Sequence, residues 1–236
     1  MRAAIYFTSA PGHPITEAAR RWLGRDAVFG QDVQQASPAG LSQEEMAALT
    51  ASPRRYGFHA TLKPPFRLAE PFDIAGLDRA LAAFCKSRAT FDLGLMKIKR
   101  IGEFFALVPA QAPTELEVLA ADVVRQFDRF RAPLTEAEIA RRKPESLSER
   151  QRAYLERWGS PYVFRDFRFH MTLTGPVGEA RQETVKRALK QHFAAALRSP
   201  LAVEAVSIFV EAEAGAPFLQ KSRRELQKSA RPVIPA

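Results

Sequence analysis

Two short segments of the chain repeat one arrangement of a histidine, a threonine and apolar residues. The strings FHATL, residues 58–62, and FHMTL, residues 169–173, each place a threonine two positions after the histidine. Imidazole has a pKa of about 6.5, so it can accept or donate a proton at neutral pH. Displacement at a phosphodiester needs a base for the attacking oxygen and an acid for the leaving oxygen. The motifs therefore predict that His59 and His170 act as an acid–base pair on a phosphodiester.

Both motifs are apolar at alternate positions, which is typical of a β-strand with one face in the core. On regular strands over 57–63 and 168–174, we expect these side chains to share the cleft-facing sides: His59, Thr61, Lys63, Arg168, His170 and Thr172. The hydroxyls of the two threonines would donate to the phosphate oxygens, and the lysine and arginine would offset the developing charge.

Two tyrosines near the motifs are further candidates for substrate binding. Tyr56 precedes the first motif, but on a regular strand it falls on the core-facing side, so packing competes with a place at the cleft mouth. Tyr162 lies in the string SPYVF on the approach to the second motif. The sequence leaves both roles open for each tyrosine.

The surroundings of the motifs repeat as well. Each motif is followed by a turn with proline, a helix and two strands, and the next strand begins 32 residues after His59, at Phe91, and 31 residues after His170, at Leu201. A single histidine beside apolar residues is more often structural than catalytic, but two at matching positions of a repeat favour function. Such a repeat indicates a duplicated half-domain.

The predicted fold is α+β, with two pseudo-symmetric lobes of antiparallel-rich sheet, helices outside and an active-site cleft between the lobes. We expect lobe 1 over about residues 3–130 and lobe 2 over about residues 148–226. A basic segment, about residues 131–147, is the expected connector.

Other kinds of active site find little support in the sequence. The motifs supply only two nitrogens, and no H-x-x-x-H, D-x-H or cysteine cluster completes a metal site, so we expect neither metal nor cofactor. The single cysteine, Cys85, lies in an apolar run typical of a buried thiol. Neither G-x-S-x-G, Walker A nor G-x-G-x-x-G occurs, which argues against a serine nucleophile, a kinase and a dinucleotide enzyme.

The composition indicates a globular protein that attracts anions. Hydrophobic residues make up 46% of the chain, and the net charge is +9, concentrated in 129–157 and in the C-terminal segment 221–232. Those basic segments fit polyanion binding and a solvated surface equally well. No run approaches the roughly 18 apolar residues of a membrane span, so we expect a cytoplasmic protein. The expected partner is a phosphorylated sugar or an RNA end, with no membrane and no obligate protein partner.

The paired motifs resemble those of the 2H phosphoesterase superfamily, which carries H-x-[ST]-Φ once in each lobe. This superfamily includes RNA 2′-5′ ligase-like proteins, cyclic nucleotide phosphodiesterases and an RNA-trimming exonuclease. More narrowly, the strings RRYGFHATLKPPF and FRFHMTLTGP resemble a bacterial family encoded in phosphonate-utilisation operons, and that resemblance runs over nearly the whole chain. It implies a substrate formed during carbon–phosphorus bond cleavage, 5-phosphoribosyl 1,2-cyclic phosphate.

Three hypotheses for function follow. The first is a metal-independent hydrolase that opens a five-membered cyclic phosphate on a ribose-type ring. The second keeps the chemistry but acts on RNA ends with 2′,3′-cyclic phosphate or 2′-5′ linkages, which the basic connector favours; against it, the sequence shows no aromatic series for stacking bases. The third is a non-catalytic module that binds phosphate or RNA. The near-symmetric motifs do not reveal which histidine is the base.

Overall fold

The computed structural model describes residues 1–228, which form an antiparallel sheet of seven strands and a set of helices. The strands are β1 (Arg2–Phe7), β2 (Arg25–Asp26), β3 (Gln31–Asp32), β4 (Ala60–Phe66), β5 (Phe91–Gly94), β6 (Met96–Ile101), β7 (Phe104–Pro109), β8 (Met171–Thr172), β9 (Leu201–Val203), β10 (Ala205–Glu211) and β11 (Leu219–Glu225). The helices are α1 (Pro14–Leu23), α2 (Gln43–Tyr56), α3 (Ile74–Lys86), α4 (Thr114–Phe127), α5 (Glu136–Ala140), α6 (Glu149–Trp158) and α7 (Gln182–Phe193). The predicted α+β class is confirmed.

The two motifs lie on neighbouring strands in the middle of the sheet. The strand order is β11-β10-β1-β4-β8-β7-β6, so β4, which follows His59, pairs with β8, which follows His170. One half of the sheet is therefore β11, β10, β1 and β4, and the other is β8, β7 and β6. The two halves meet where the motif strands β4 and β8 pair.

The halves are built from interleaved parts of the chain, which corrects the expected lobe boundaries. The hairpin β6–β7 follows the first motif in sequence but pairs with the second motif's strand, because β1 occupies the other edge of β4. Conversely, β10 and β11 follow the second motif and extend the half that contains β4. The ranges 3–130 and 148–226 thus do not coincide with the two halves of the sheet.

The apolar faces of both motifs are buried as predicted. These side chains share one hydrophobic core with residues of α1, α3, α4 and α7: Phe58, Ala60, Leu62, Phe169, Met171 and Leu173. In β1, Ile5 and Phe7 belong to the same core, whereas Tyr6 points to the opposite face because successive side chains alternate across a strand. Burying the helices on one face leaves the other face of the sheet open for a site.

Helix α2 is longer than expected and reaches that open face. The sequence predicts a short helix ending near Leu49, opened by a capping box at Ser42 and Glu45; the capping box is present, but the helix continues to Tyr56. Pro53 lies in the final turn of this helix, although proline usually breaks a helix interior. The extension brings Arg55 and Tyr56 next to the first motif.

Two expectations away from the site concern Cys85 and the C-terminal segment. Cys85 is buried in α3, and that burial raises the pKa of its thiol to about 11, as expected for an unreactive cysteine. The last residues of the basic C-terminal segment, 229–232, lie outside the described residues. Within residues 1–228, no helix combines the length and hydrophobicity needed to cross a membrane.

Candidate active site

Pairing of β4 with β8 brings the two histidine motifs together. Ala60 pairs with Met171 in antiparallel register. In that register His59 lies opposite Thr172, and His170 lies opposite Thr61. His59 immediately precedes β4 and His170 immediately precedes β8, so the two histidines flank this pair of residues. The two motifs are therefore adjacent in the sheet.

The same local hydrogen bond orients each imidazole. Nδ1 of His59 donates to the carbonyl oxygen of Gly57 at 2.9 Å, and Nδ1 of His170 donates to that of Arg168 at 2.7 Å. Because a carbonyl oxygen only accepts, Nδ1 carries the hydrogen, and Nε2 remains to take or give the reacting proton. Nε2 of His59 lies 3.2 Å from Oγ1 of Thr61. The arrangement suits two groups that exchange protons with one substrate.

Glycine is required at position 57 for this orientation. Gly57 ends α2 with a φ of 78°, a conformation that favours glycine over other residues. A Cβ added there would clash with the Cβ of Ala27. The close approach and the positive φ together point the Gly57 carbonyl at His59.

The surroundings of the two histidines differ, and the difference affects proton transfer. His59 stacks on Tyr6, with ring centroids 3.7 Å apart, whereas His170 contacts the Phe104 ring at 5.7 Å. Burial lowers the pKa of His59 to about 4; its bond to Gly57 opposes this shift and the charge of His170 adds to it. His59 is therefore neutral at pH 7 and is ready to accept a proton.

A cavity of about 910 Å³ opens on this face of the sheet, and its lining includes His59, Thr61 and Thr172. The lining also contains these charged residues: Arg2, Arg55, Arg67, Arg141, Arg142, Glu138 and Glu211. Five arginines against two carboxylates give the cavity a surplus of positive charge, which attracts an anionic ligand. The expected basic connector forms part of this wall, because α5 and the residues around it line the cavity.

Residues 61–219 match the model of a family described as "Protein of unknown function (DUF1045)". The chain belongs to this family. Two relatives carry the name "Ribose 1,5-bisphosphate phosphokinase PhnN". The one from Janthinobacterium sp. (strain Marseille) is 42% identical over 226 residues, which cover 94% of this chain and 50% of the relative. The one from Laribacter hongkongensis (strain HLHK9) is 36% identical over 218 residues, with coverage of 92% and 50%. The chain thus spans about half the length of the curated relatives it matches.

Solved structures similar to this DUF1045 chain include a phosphoesterase and E. coli LigT. The phosphoesterase structure has a TM-score of 0.42 at 14% identity, covering 96% of this chain and 98% of the other. LigT complexed with 3′-AMP has a TM-score of 0.43 at 13% identity, covering 95% and 97%.

Lys63 does not face the cavity, which corrects the prediction from strand parity. Tyr6 pairs with Thr61, but the next residue of β1, Ile5, pairs with Lys63, so Leu62 is an extra residue in a β-bulge. The bulge turns Lys63 to the core side, where it is 2% exposed and its Nζ donates to Asp128 at 3.1 Å. Burial lowers the pKa of Lys63 to about 8, and the Asp128 carboxylate opposes that shift. Lys63 therefore supports the fold.

Replacing Lys63 with methionine is expected to destabilise the protein without weakening substrate binding. The change leaves Asp128 with only its arginine partners, Arg131 and Arg157, and breaking a buried pair costs roughly 3 kcal/mol. Urea denaturation measures the loss against Lys190→Met, which removes an exposed lysine of α7. An unchanged free energy of unfolding together with a tenfold higher KM would instead place Lys63 at the substrate.

Arg168 and Tyr162, like His170, are not part of the cavity lining. Residues 167–170 precede the short strand β8 and are not part of it, so the alternation expected for a longer strand does not hold there. The Arg168 guanidinium donates to the carbonyl oxygens of Arg165 and Phe167 and is exposed. Tyr162 is 59% exposed on the approach to the motif. Only the backbone carbonyl of Arg168 takes part in the site, by orienting His170.

Tyr56, in contrast, lines the cavity, and its ring lies 6.2 Å from that of His59. The core-facing position predicted for Tyr56 assumed a regular strand, but this residue ends α2 and is not on a strand. Sequence reasoning missed Tyr6 altogether. Its signal is a single polar aromatic within the apolar string AAIYF, on the side opposite Ile5 and Phe7. Burial raises the pKa of Tyr6 well above its ordinary value, so the phenol beside His59 is neutral.

The other two histidines have structural roles. Nδ1 of His13 accepts from the backbone N–H of Ile15 at the start of α1, and His192 bonds to the Ala18 carbonyl oxygen. Across residues 1–228, no group of three or more histidine, cysteine or acidic side chains is arranged to hold a metal ion.

Proposed function

We propose that this DUF1045 chain is a metal-independent phosphodiesterase that opens a five-membered cyclic phosphate on a ribose-type sugar. The observation that carries the proposal is the pairing of Ala60 with Met171, which makes the two histidine motifs neighbours in the sheet. A phosphorus atom held between two imidazoles can be attacked from one side while the leaving oxygen is protonated from the other. The basic cavity supports an anionic substrate.

In the proposed reaction, Nε2 of neutral His59 takes a proton from water as the water oxygen forms a bond to phosphorus. The bond from phosphorus to one ring oxygen breaks, and protonated His170 donates its proton to that oxygen. Thr61 and Thr172 donate hydrogen bonds to the non-bridging oxygens, where negative charge grows. The product is a phosphomonoester beside a free hydroxyl. At the end of the step His59 is protonated and His170 is neutral.

The proposed substrate is 5-phosphoribosyl 1,2-cyclic phosphate, formed in phosphonate breakdown. When water attacks phosphorus and the bond from phosphorus to the 2-oxygen breaks, this compound becomes ribose 1,5-bisphosphate. Ribose 1,5-bisphosphate is the compound in the name of the two relatives. The present sequence contains no Walker A motif, so we assign the named kinase activity to the half of those relatives that this chain does not cover. A hydrolase fused to the enzyme that consumes its product is a consistent arrangement.

Phosphorus NMR of the reaction in EDTA tests the proposal. The enzyme is expected to convert 5-phosphoribosyl 1,2-cyclic phosphate to ribose 1,5-bisphosphate at the same rate with and without the chelator. A parallel assay uses an RNA oligonucleotide with a 2′,3′-cyclic end. Faster turnover of the RNA would support the RNA-end hypothesis, and loss of activity in EDTA with recovery in Zn²⁺ or Mn²⁺ would contradict the metal-free mechanism.

A further inference from the structure

Two of the five cavity arginines, Arg141 and Arg142, have no carboxylate partner within residues 1–228, and the exposed Arg141 donates to the Ala137 carbonyl oxygen. Arg2 and Arg55 both pair with the buried Glu211, and Arg67 pairs with Glu138. Arg142 is half-buried, yet within residues 1–228 its guanidinium makes neither an ion pair nor a hydrogen bond. A partly desolvated cation without a partner is costly, and a bound anion would remove that cost.

The groups around Arg142 place its charge over the cavity. Burial lowers the pKa of Arg142, and the positive charge of Arg2 adds to this shift; Tyr56, Glu138 and Tyr162 oppose it. Arg142 and Arg2 therefore repel each other across a space that both line. An anion bound between them would attract both guanidinium groups and offset their repulsion.

The segment that carries Arg142 is held firmly against the sheet. The backbone N–H of Ala132 donates to the Arg67 carbonyl oxygen at 2.8 Å, and the Arg67 side chain donates to the Pro133 carbonyl oxygen at 2.6 Å. Thr135 and Glu138 form a capping box at the start of α5, and Glu138 also pairs with Arg67. Arg142 thus follows a helix that is anchored to the end of β4, and its position is built into the fold.

We propose that Arg142, together with Arg2, forms a subsite for a second, terminal phosphate of the substrate; this inference rests on the proposed phosphodiesterase function. The Tyr56 ring, which lies near Arg142, is 6.2 Å from the His59 ring, and Arg2, Arg142 and His59 line the same cavity. The cavity carries five arginines and two glutamates, a surplus of three positive charges. A cyclic phosphodiester carries one negative charge, and a phosphomonoester adds about 1.5 to 2 more. The negative charge of a sugar that carries both groups therefore matches the surplus positive charge of the cavity.

Two substrates that differ only in the terminal phosphate test this subsite. The assay compares 5-phosphoribosyl 1,2-cyclic phosphate with ribosyl 1,2-cyclic phosphate, using the native protein, Arg142→Gln and Arg142→Lys. Arg187→Gln is the matched control, because it removes one exposed arginine of α7 away from the cavity. Loss of a charge-assisted bond predicts a rise of roughly 10–100-fold in KM for the phosphorylated substrate. The other substrate should change by less than about threefold, and Arg142→Lys should recover part of the loss.

Isothermal titration with ribose 5-phosphate separates this inference from the proposed function. Weaker binding to Arg142→Gln than to the native protein supports the subsite even if no cyclic phosphate is hydrolysed. In that case the proposed phosphodiesterase function is wrong, and the phosphate subsite stands. The other outcome is that Arg142→Gln binds ribose 5-phosphate like the native protein and changes KM for the two cyclic substrates equally or not at all. In that outcome the subsite is wrong and the hydrolase stands.

Discussion

Replacing either motif histidine with alanine is expected to lower kcat by roughly 10²–10⁴-fold, the usual contribution of one positioned proton-transfer group. His59 takes the proton of the attacking water and His170 supplies the proton of the leaving oxygen, so neither can replace the other. The double variant should lose little more than each single variant, because the two groups act in one step. Steady-state kinetics on 5-phosphoribosyl 1,2-cyclic phosphate measure the effect.

The fold should survive these substitutions, since neither histidine belongs to the hydrophobic core. His59 stacks on Tyr6, so His59→Asn is a second variant that leaves less empty space beside this ring. His192→Ala is the matched control, because it removes a histidine that bonds to Ala18 outside the site. Near-native turnover in both His59→Ala and His170→Ala would leave the non-catalytic phosphate-binding module as the better account.

Thr61→Val and Thr172→Val should each lower kcat by about 10²-fold, with little change in KM. A hydroxyl that donates to an oxygen on which charge develops stabilises the transition state more than the ground state, and removing one such donor typically costs this much. Valine keeps the shape of threonine, so packing is preserved. The expected losses are similar because both threonines line the cavity, each two residues after a motif histidine.

Thr184→Val in α7 controls for the loss of a hydroxyl elsewhere in the protein. A large rise in KM with unchanged kcat in both variants would mean that the hydroxyls bind the ground state only. No effect in either variant would remove the threonines from the site.

Local sequence patterns predicted much of the fold. The apolar spacing of residues 74–86 predicts a helix over that range, which is where α3 lies, with Asp73 capping its first turn. The spacing of Ser148 and Gln151 predicts a capping box that opens a helix to Trp158, and α6 begins with that box and ends at Trp158. The buried faces of both motifs followed from alternation alone. These features depend on residues that are close together in the chain.

The errors arose where distant parts of the chain decide the outcome. Lys63 faces the core because a bulge against β1 shifts its register, and nothing in the string FHATLK marks that bulge. Which half of the sheet each hairpin joins depends on which edge of each motif strand is free. Tyr6 and Arg142 are far apart in the sequence and meet at the cavity only through the folded sheet and connector. Pairwise contacts of this kind leave no local pattern.

The dependence of kcat/KM on pH, measured for the native protein and the two histidine variants, tests the central claim most directly. Native activity should rise as His59 loses its proton, with a pKa of about 4, and fall at higher pH once the general acid is deprotonated. His59→Ala should lose the rise and His170→Ala the fall. Ribosyl 1,2-cyclic phosphate, measured in parallel, removes the ionisation of the terminal phosphate. If either variant retains both limbs, the two histidines do not divide the acid and base roles, and the proposed mechanism is wrong.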